Sequence, residues 1–192
     1  MVATTILLNG VGSVGKSSVA RALQDTLSGP WLYVAMDSFL DMLPDRLHDD
    51  PDGFIYRTEI DDEGKSQIAI ETGPSGRRLL RGMRRSIAAL AQAGNNLIVD
   101  DVILDDGLNE YEVLLTEIRF LKVGLFAPLV VLEEREAKRE DRLPGLARWQ
   151  FSRIHASAQY DLEIDTSLLD PAACAQRIAV HFGLQSTTGQ DD

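Results

Sequence analysis

Short, continuous runs of apolar residues alternate along this chain with longer segments in which apolar residues recur at every third or fourth position. The continuous runs predict buried strands, and the recurring pattern predicts amphipathic helices. The predicted strands span residues 4–9, 31–36, 97–99 and 121–126, and a short fifth strand is predicted at residues 162–165. The predicted helices span residues 17–27, 37–43, 74–93, 105–117, 128–138, 146–157 and 171–182. Strands separated by helices indicate a parallel sheet with helices on both faces, and therefore an α/β fold.

The segment between residues 47 and 73 breaks this alternation. Two stretches suited to strands, residues 54–58 and 67–70, flank a polar turn at residues 61–64. Two strand-like stretches around a polar turn predict a β-hairpin. We therefore expect a small hairpin or flap inserted between the core elements.

One eight-residue motif carries the strongest chemical information. Residues 10–17 read Gly-Val-Gly-Ser-Val-Gly-Lys-Ser and match G-x-x-x-x-G-K-[ST], the P-loop or Walker A pattern. Glycines let the backbone turn successive N–H groups toward an anion. Lys16 can reach the β- and γ-phosphates, and the Ser17 hydroxyl can ligate Mg²⁺. The predicted nucleotide-binding residues are Gly10, Gly12, Ser13, Val14, Gly15, Lys16, Ser17 and Ser18.

The setting of the motif favours this interpretation over a glycine turn with an incidental lysine. A predicted strand comes directly before the loop and a predicted helix directly after it, which is the context of a true P-loop. The N-terminus of that helix adds partial positive charge at the phosphates. Ser18 either contacts the α-phosphate or is simply a residue of the first helical turn. The motif predicts a P-loop NTPase fold; we expect ATP as the nucleotide, with GTP as the alternative.

A carboxylate pair follows the apolar stretch at residues 97–99. Asp100 ends the predicted strand as a Walker B aspartate does, where it would hold Mg²⁺ or its water. Asp101 is the alternative, because adjacent side chains of a strand point to opposite faces and only one is expected to face the nucleotide. Ligands of such sheets bind beyond the carboxyl ends of the strands, which places the P-loop, Asp37 and Asp100 at one edge.

Composition narrows the classes of function. The chain has 192 residues and a formal net charge of −11, which argues against a general nucleic-acid-binding protein because phosphate contacts need a basic surface. The single cysteine, Cys174, excludes an internal disulfide, and no stretch has the length of a membrane span or signal peptide. We expect a cytoplasmic protein. Residues 1–184 are predicted to form one domain, and residues 185–192 a polar, disordered tail.

Five passages together resemble the chloramphenicol phosphotransferase family of P-loop kinases, which is structurally akin to shikimate and adenylate kinases. The passages are residues 6–21, 30–44, 97–104, 139–145 and 160–167. The P-loop alone is generic. Its combination with V-x-x-D-S-x-x-x-x-x-P after the second strand and D-D-V-x-L after the third is much more specific. The resemblance covers most of the chain and implies a kinase whose flap region meets the acceptor.

The resemblance implies roles for three further residues. It places the general base on Asp37, which would take a proton from the acceptor hydroxyl; a helix N-cap is the alternative. It also makes the charged loop at about residues 138–146 a lid. Arg139 and Arg142 of this lid would cover the phosphates and stabilise charge in the transition state. The alternative is a solvated run of charges with local ion pairs.

For each of three further groups of residues, the sequence allows two interpretations. Four arginines near one face of the helix predicted at residues 74–93 would either meet an anionic substrate or form a solvent face: Arg77, Arg81, Arg84 and Arg85. A set of apolar residues would either line an aromatic-substrate pocket or belong to the core: Phe39, Leu40, Met42, Leu43, Phe54 and Tyr56. The histidines lack metal-ligand spacing and are interpreted as structural or surface residues: His48, His155 and His181.

These observations favour an O-phosphotransferase that uses Mg²⁺ and moves the γ-phosphate of ATP to a hydroxyl of a small molecule. Chloramphenicol or a related antibiotic is one candidate acceptor, and both a resistance enzyme and a metabolic enzyme fit the motifs. The alternatives are a metabolite or nucleotide kinase of the same fold and a non-catalytic nucleotide-binding switch. The chain has no N-K-x-D guanine motif, and Asp101 rather than a glutamate follows Asp100, which favours a kinase. No nucleic-acid or membrane partner is expected. The sequence is compatible with a homo-oligomer as well as with a monomer.

Overall fold

A five-stranded parallel sheet forms the centre of the chain in a computed structural model, which describes residues 2–104, 106–139 and 143–187. Within these residues the strands are β1 (Thr4–Asn9), β2 (Trp31–Ala35), β3 (Phe54–Ile60), β4 (Ser66–Thr72), β5 (Asn96–Asp101), β6 (Arg119–Phe126) and β7 (Leu162–Asp165). The central sheet has the order β2-β5-β1-β6-β7, and all of its pairs are parallel. Asp100 pairs in register with Leu8 on one side and Ala35 on the other, so the last residues of three strands lie level at one edge.

Helices cover both faces of this sheet. They are α1 (Lys16–Thr26), α2 (Met36–Leu40), α3 (Pro74–Gln92), α4 (Gly107–Leu114), α5 (Leu129–Ala137), α6 (Leu146–Phe151) and α7 (Pro171–Phe182), with a 3-10 turn at Asp45–Leu47. Ile6 and Leu8 pack in the core cluster that includes residues of α1 and α7, whereas Leu7 packs in the cluster that includes residues of α3 and α4. This is the alternation expected of a strand buried on both faces. The predicted α/β fold is confirmed.

Local sequence signals explain where the longest helices begin. Pro74 and Pro171 occupy the first turn of α3 and α7, where the fixed φ of proline suits a helix and its missing N–H costs nothing. The Asp170 side chain also caps α7 by accepting a hydrogen bond from the Ala173 N–H at 2.8 Å. None of the described helices is long and apolar enough to cross a membrane.

Three predicted helices extend three or more residues beyond the observed ends. The helix predicted at residues 146–157 ends at Phe151, because the following residues turn to bring His155 against Phe126 and Tyr160. The Arg153 guanidinium donates to the Trp149 carbonyl at 2.6 Å and satisfies one of the carbonyl groups left at the helix end. The helices predicted at 37–43 and 105–117 likewise end early, at residues 40 and 114.

The predicted hairpin is present and is fixed to the rest of the domain. Strands β3 and β4 pair antiparallel from Phe54 with Thr72 to Ile60 with Ser66. The buried Arg148 guanidinium of α6 donates to Asp61 of the hairpin at 2.9 Å and to Glu133 of α5 at 2.7 Å. Charge-assisted hydrogen bonds of this kind are stronger than neutral ones. Arg148 therefore holds the flap against the helices that flank the charged loop.

The first residues of the segment predicted as a tail lie against the turn after α1. The Ser28 N–H donates to the Gln185 carbonyl at 2.9 Å, and Ser186 forms a β-bridge with Leu27. Residues 188–192, which belong to the same prediction, lie outside the described residues.

Candidate active site

The P-loop forms a tight turn between β1 and α1. Gly15 has φ 103°, and Ser13 has φ 64°, a left-handed conformation that non-glycine residues rarely adopt. A Cβ on Gly10 would lie 2.6 Å from the Leu125 carbonyl oxygen, so only glycine fits where β1 leaves the sheet. The Ser13 hydroxyl is buried and has no hydrogen-bond partner within the described residues. Both features suit a loop shaped around an anion.

The Lys16 side chain folds back over this loop. Its ammonium group donates to the carbonyl oxygens of Gly10 at 2.9 Å and Val11 at 3.2 Å. It also lies 3.8 Å from Oδ1 of Asp100. The Lys16 side chain is 8% exposed, so its charge acts in a medium of lower dielectric than water. The structure thus places a positive charge at the mouth of the loop, next to the carboxylate of the neighbouring strand.

Asp100 connects β5 to the P-loop. Its Oδ2 accepts hydrogen bonds from the Ser17 hydroxyl at 2.8 Å and from the Tyr33 hydroxyl at 3.0 Å. Desolvation by burial is the main cause that raises the pKa of Tyr33 to about 12, so this phenol stays protonated and donates at neutral pH. Ser17 and Asp100, the two predicted magnesium ligands, are therefore in direct contact.

Asp101 points to the other face of the sheet, as the alternation of a strand requires. Its carboxylate accepts from the Val102 N–H at 2.7 Å and from the Tyr111 hydroxyl at 3.0 Å. Desolvation of this fully buried group raises its pKa, and the charge of Arg84 acts in the opposite direction. Of the two adjacent carboxylates, Asp100 is the one that contacts the P-loop.

Asp37 lies in the first turn of α2, directly after β2. The N-cap of this helix is Ala35, and no side chain caps it, so the alternative interpretation of Asp37 as the N-cap is wrong. Asp37 is exposed and lines the cavity that the P-loop lines. Its place follows from the sheet, because Ala35 is level with Asp100 at the same edge.

The apolar residues flagged beside Asp37 divide between the two interpretations. Leu40 and Tyr56 line the cavity with the P-loop, whereas Phe54 is buried and Phe39 packs against the core. Met42 is 66% exposed and belongs to neither group.

The charged loop contributes Arg139 to the same cavity. Arg139 follows α5 and is exposed, and Arg142 lies outside the described residues. Arg135, one helical turn earlier, was missed by the sequence reasoning. Its guanidinium donates to the Val14 carbonyl at 3.2 Å, and to the Thr166 hydroxyl and carbonyl at 3.0 and 2.8 Å. The available signal was its position in the sequence, because Arg135 lies in the last turn of the helix that leads into the charged loop.

Gln150 of α6 was also missed. Its side-chain oxygen accepts a hydrogen bond from the Gly12 N–H of the P-loop at 2.7 Å, and the residue is 4% exposed. Nothing in the local pattern around Gln150 distinguishes it from a surface glutamine. The contact joins the phosphate loop to the helix that follows the charged loop.

A cavity of about 460 Å³ brings these groups together. At one end it is lined by Asp37 and the flap residue Ile70, and at the other by Arg135, Thr166 and Cys174. The P-loop and Asp100 lie between the two ends. A second cavity of about 940 Å³ adjoins the first, since Ile70 and Val102 line both.

His155 is half-buried and belongs to a chain of polar side chains that includes Tyr160 and Asn9. Its ring stacks on Phe126 with centroids 3.9 Å apart, and its Nδ1 lies 2.8 Å from the Tyr160 hydroxyl. Tyr160 accepts a hydrogen bond from the Asn9 amide at 2.7 Å, so its own proton is available for His155. Desolvation by burial, with the charge of Lys16, lowers the pKa of His155 to about 4. His155 is thus a neutral, structural residue, as interpreted from the sequence.

We expect His155 to make folding less stable in mild acid. An unfolded chain takes up a proton on this residue below about pH 6.5, whereas the folded chain does so only near pH 4. The stability that the neutral ring supports is therefore lost as the pH falls from about 6.5 toward 4. Urea unfolding of the wild type and His155→Gln at pH 7.5 and pH 5 measures this. The advantage of the wild type should shrink at pH 5, and an unchanged difference would contradict the assignment.

A glycine-rich loop between strand and helix, with a carboxylate from the neighbouring strand beside it, is the arrangement of a P-loop protein. The family model described as chloramphenicol phosphotransferase-like protein matches residues 3–183, and the chain belongs to that family. The resemblance inferred from the sequence motifs is confirmed.

Known relatives and structures agree with this class. Proteins named "Putative O-phosphotransferase" from two Mycobacterium tuberculosis strains, CDC 1551 / Oshkosh and ATCC 25618 / H37Rv, are 33% identical over 171 residues, 84% of this chain and 74% of theirs. An unliganded sugar kinase from Janibacter sp. HTCC2649 has TM-score 0.67 and 19% identity, covering 95% of each chain. The Mycobacterium tuberculosis APS kinase CysC, solved with AMPPNP and APS, has TM-score 0.62 and 15% identity, covering 94% of this chain and 98% of its own. The two structures share the fold. Its family and its relatives show that this protein is a phosphotransferase, as predicted.

Proposed function

We propose that this protein transfers the γ-phosphoryl group of ATP to a hydroxyl group of a small molecule. The main support for the proposal is that four polar or charged side chains line one cavity. Lys16 and Ser17 belong to the P-loop, Asp100 contacts Ser17, and Asp37 lines the same cavity from the neighbouring strand end. Phosphoryl transfer needs positive charge that stabilises the phosphate and a base that takes the proton from the acceptor hydroxyl. This set of residues contains both.

The shape of the cavity suits a nucleoside triphosphate. The backbone of the P-loop and the unpartnered Ser13 hydroxyl fit the phosphates. Beyond the loop the cavity continues to Arg135, Thr166 and Cys174, where a base and ribose would lie. Arg135 already bridges Val14 and Thr166, so it would hold the base end of the cavity in place relative to the P-loop.

Ser17 and Asp100 are the residues that would hold Mg²⁺. A hydroxyl and a carboxylate oxygen are hard donors of the kind Mg²⁺ prefers. Within the described residues, no group of three or more His, Cys, Asp or Glu side chains could hold a metal ion. Kinases bind Mg²⁺ through one or two protein groups, water and the phosphates. The ion supplies neutralisation of charge on the phosphoryl group during transfer.

Asp37 would act as the general base. The O–H bond of the acceptor breaks as its oxygen forms a bond to the γ-phosphorus, and the proton passes to the Asp37 carboxylate. The bond between the γ-phosphorus and the bridging oxygen breaks, and ADP leaves with the electron pair. Lys16 stabilises the negative charge on the transferring group, and we assign Arg139 and Arg142 of the lid to the same task.

Two kinds of acceptor are candidates for this site. Chloramphenicol is the compound in the family description, and it is therefore the first acceptor to test. A metabolite kinase of the same fold is the second candidate. The observation that favours it is the arginine-lined second cavity beside the flap, since chloramphenicol carries no ionised group.

Mass spectrometry after incubation with Mg-ATP tests the function. We expect a mass gain of one phosphoryl group on chloramphenicol or on another member of a panel of hydroxylated antibiotics and metabolites, and no gain with Lys16→Ala. The small-molecule fraction of a cell extract, incubated with ATP labelled in the γ-phosphate, extends the panel. Transfer of the label only to water, from panel and extract alike, would contradict the proposal.

A further inference from the structure

The second cavity is in a position to hold the body of the acceptor. It has a volume of about 940 Å³ and shares Ile70 and Val102 with the nucleotide cavity. An acceptor whose hydroxyl reaches the γ-phosphate near Asp37 would extend past these two residues into it. This inference therefore rests on the proposed function and names the class of its substrate.

Arginines are concentrated around this cavity although the chain carries a net charge of −11. Arg77, Arg81 and Arg84 line it from α3, and Arg153 lines it from the segment after α6. The α3 residues are spaced by four and three positions, which places their side chains on one helix face. Arg85, on the same helix, does not line the cavity.

Arg84 is built into the floor of the cavity. It is 9% exposed, and its Nη1 donates to Glu110 at 2.7 Å. Its guanidinium lies so close to Gly107 that a Cβ there would be 2.6 Å from Nη2. Its Nε is buried with no hydrogen-bond partner within the described residues. A buried donor left without an acceptor is costly, and such a group favours a ligand that supplies one.

The other three arginines have no carboxylate partner within the described residues. Arg77 donates to the Thr72 carbonyl, and Arg153 donates to the Trp149 carbonyl and lies over its ring at 4.7 Å. Arg81 makes no hydrogen bond or ion pair to the described part of the chain. Their charges are therefore not neutralised by the described carboxylates.

The described acidic residues that line the cavity offset only part of this charge. Glu110 is paired with Arg84, and Asp101 is hydrogen-bonded to Tyr111, with a pKa raised by desolvation. Asp106 is exposed. The lining thus leaves three guanidinium groups beside apolar surface from Leu80 and Trp149. A guanidinium group matches the geometry of a carboxylate or phosphate better than any other side chain does.

We propose that the second cavity binds a negatively charged group of the acceptor, so that the preferred acceptor is a hydroxylated organic anion. Its hydroxyl is presented to Asp37, and its carboxylate or phosphate ester is held by Arg77, Arg81 and Arg153 above Arg84. Both kinds of anion share the chemistry that the guanidinium groups recognise. A neutral acceptor would leave these charges without a partner.

Matched pairs of acceptors test the proposal. An aldonic acid is compared with its methyl ester, and a hexose phosphate with its parent hexose, with chloramphenicol as the neutral reference. We expect kcat/KM to be at least about tenfold higher for the charged member of one pair, which is about 1.4 kcal/mol. The pair that shows the difference distinguishes a carboxylate from a phosphate. Equal or better use of the neutral members would overturn the proposal.

Arg81→Gln tests the site itself, and Arg85→Gln is the matched control. Both residues are exposed on α3, so neither substitution threatens the fold. With Arg81→Gln the KM for the anionic acceptor should rise about tenfold, while the KM for ATP and for neutral acceptors stays unchanged. Arg85→Gln should leave all of these values unchanged. An equal effect of the two substitutions would overturn the proposal.

Binding separates a failure of this proposal from a failure of the proposed function. The fluorescence of Trp149, which lines the second cavity, is followed as the aldonic acid and the hexose phosphate are added to protein saturated with a non-hydrolysable ATP analogue. Trp31, the only other tryptophan, is replaced by phenylalanine. Quenching that depends on Arg81, combined with no phosphoryl transfer from Mg-ATP to any acceptor in the mass-spectrometry test, would keep the anion site and reject the kinase. Absence of quenching by both anions would reject the anion site.

Discussion

Lys16→Ala should abolish detectable phosphoryl transfer, with a loss in kcat of at least about a thousandfold. The ammonium group is nine-tenths buried at the mouth of the P-loop and lies 3.8 Å from Asp100. A positive charge fixed in this partly dehydrated position stabilises the charge that develops on the transferring group more than water can. Alanine leaves that charge without compensation. Steady-state kinetics with any acceptor identified by mass spectrometry measures the loss.

The control for this variant is Lys65→Ala. Lys65 is an exposed lysine in the turn of the flap, and its ammonium pairs with the exposed Glu63 at 3.5 Å. Its removal should leave kcat unchanged. Because Lys16 also donates to the carbonyls of Gly10 and Val11, urea unfolding should verify that Lys16→Ala remains folded. A folded Lys16→Ala protein with wild-type turnover would show that the P-loop lysine does not act in catalysis.

The core elements could be predicted because their signals are local. The strand at residues 4–9, the strand at 162–165 and the helix at 171–182 have the predicted bounds. The first strand contains a continuous apolar run, the second alternates apolar and acidic residues, and the helix is a periodic segment that starts with a capping aspartate and a proline. Such patterns depend on residues that are neighbours along the chain, so they can be read from the sequence alone.

The early end of α6 could not be predicted, because it depends on residues far along the chain. The periodic pattern continues to residue 157, but His155 leaves the helical path to stack on Phe126. The gain comes from packing in a buried cluster, and tertiary packing routinely outweighs helix propensity.

The candidate site was predictable in part for the same reason. The P-loop is a contiguous motif, and the alternation of a strand showed that only one of Asp100 and Asp101 could face it. That Asp100 faces it follows from the pairing of β5 with β1 and β2, which no local pattern contains. Arg135 and Gln150 were missed since their partners, Thr166 and Gly12, are distant in the sequence.

The burial and the ion pair of Arg84 depend on tertiary packing. In the sequence it belongs to a stripe that fits a solvent face. In the structure α4 packs against α3, and Arg84 is buried beside Gly107 and paired with Glu110. The glycine that makes room for it lies 23 positions further along the chain, so its burial could not be inferred from the helix alone.

Asp37→Asn should lower kcat by about a hundredfold to ten-thousandfold, with little change in the affinity for ATP. Asparagine has nearly the same shape but cannot accept a proton from the acceptor hydroxyl. Asp37 is exposed and does not cap α2, so the substitution should not disturb the fold. Asp41→Asn is the matched control, because Asp41 is an exposed aspartate one turn later that does not line the cavity. Stopped-flow kinetics and a fluorescent nucleotide measure turnover and binding separately.

The pattern of loss decides which role Asp37 has. A fall in kcat with unchanged nucleotide affinity fits a group that acts only on the acceptor hydroxyl. A rise in the Mg²⁺ concentration needed for half-maximal activity would instead make Asp37 a second support for the metal, together with Asp100. Wild-type turnover would show that the base assignment is wrong. The distinction matters for the anionic acceptor, since a base at Asp37 requires the acceptor hydroxyl to lie between α2 and the arginines of α3.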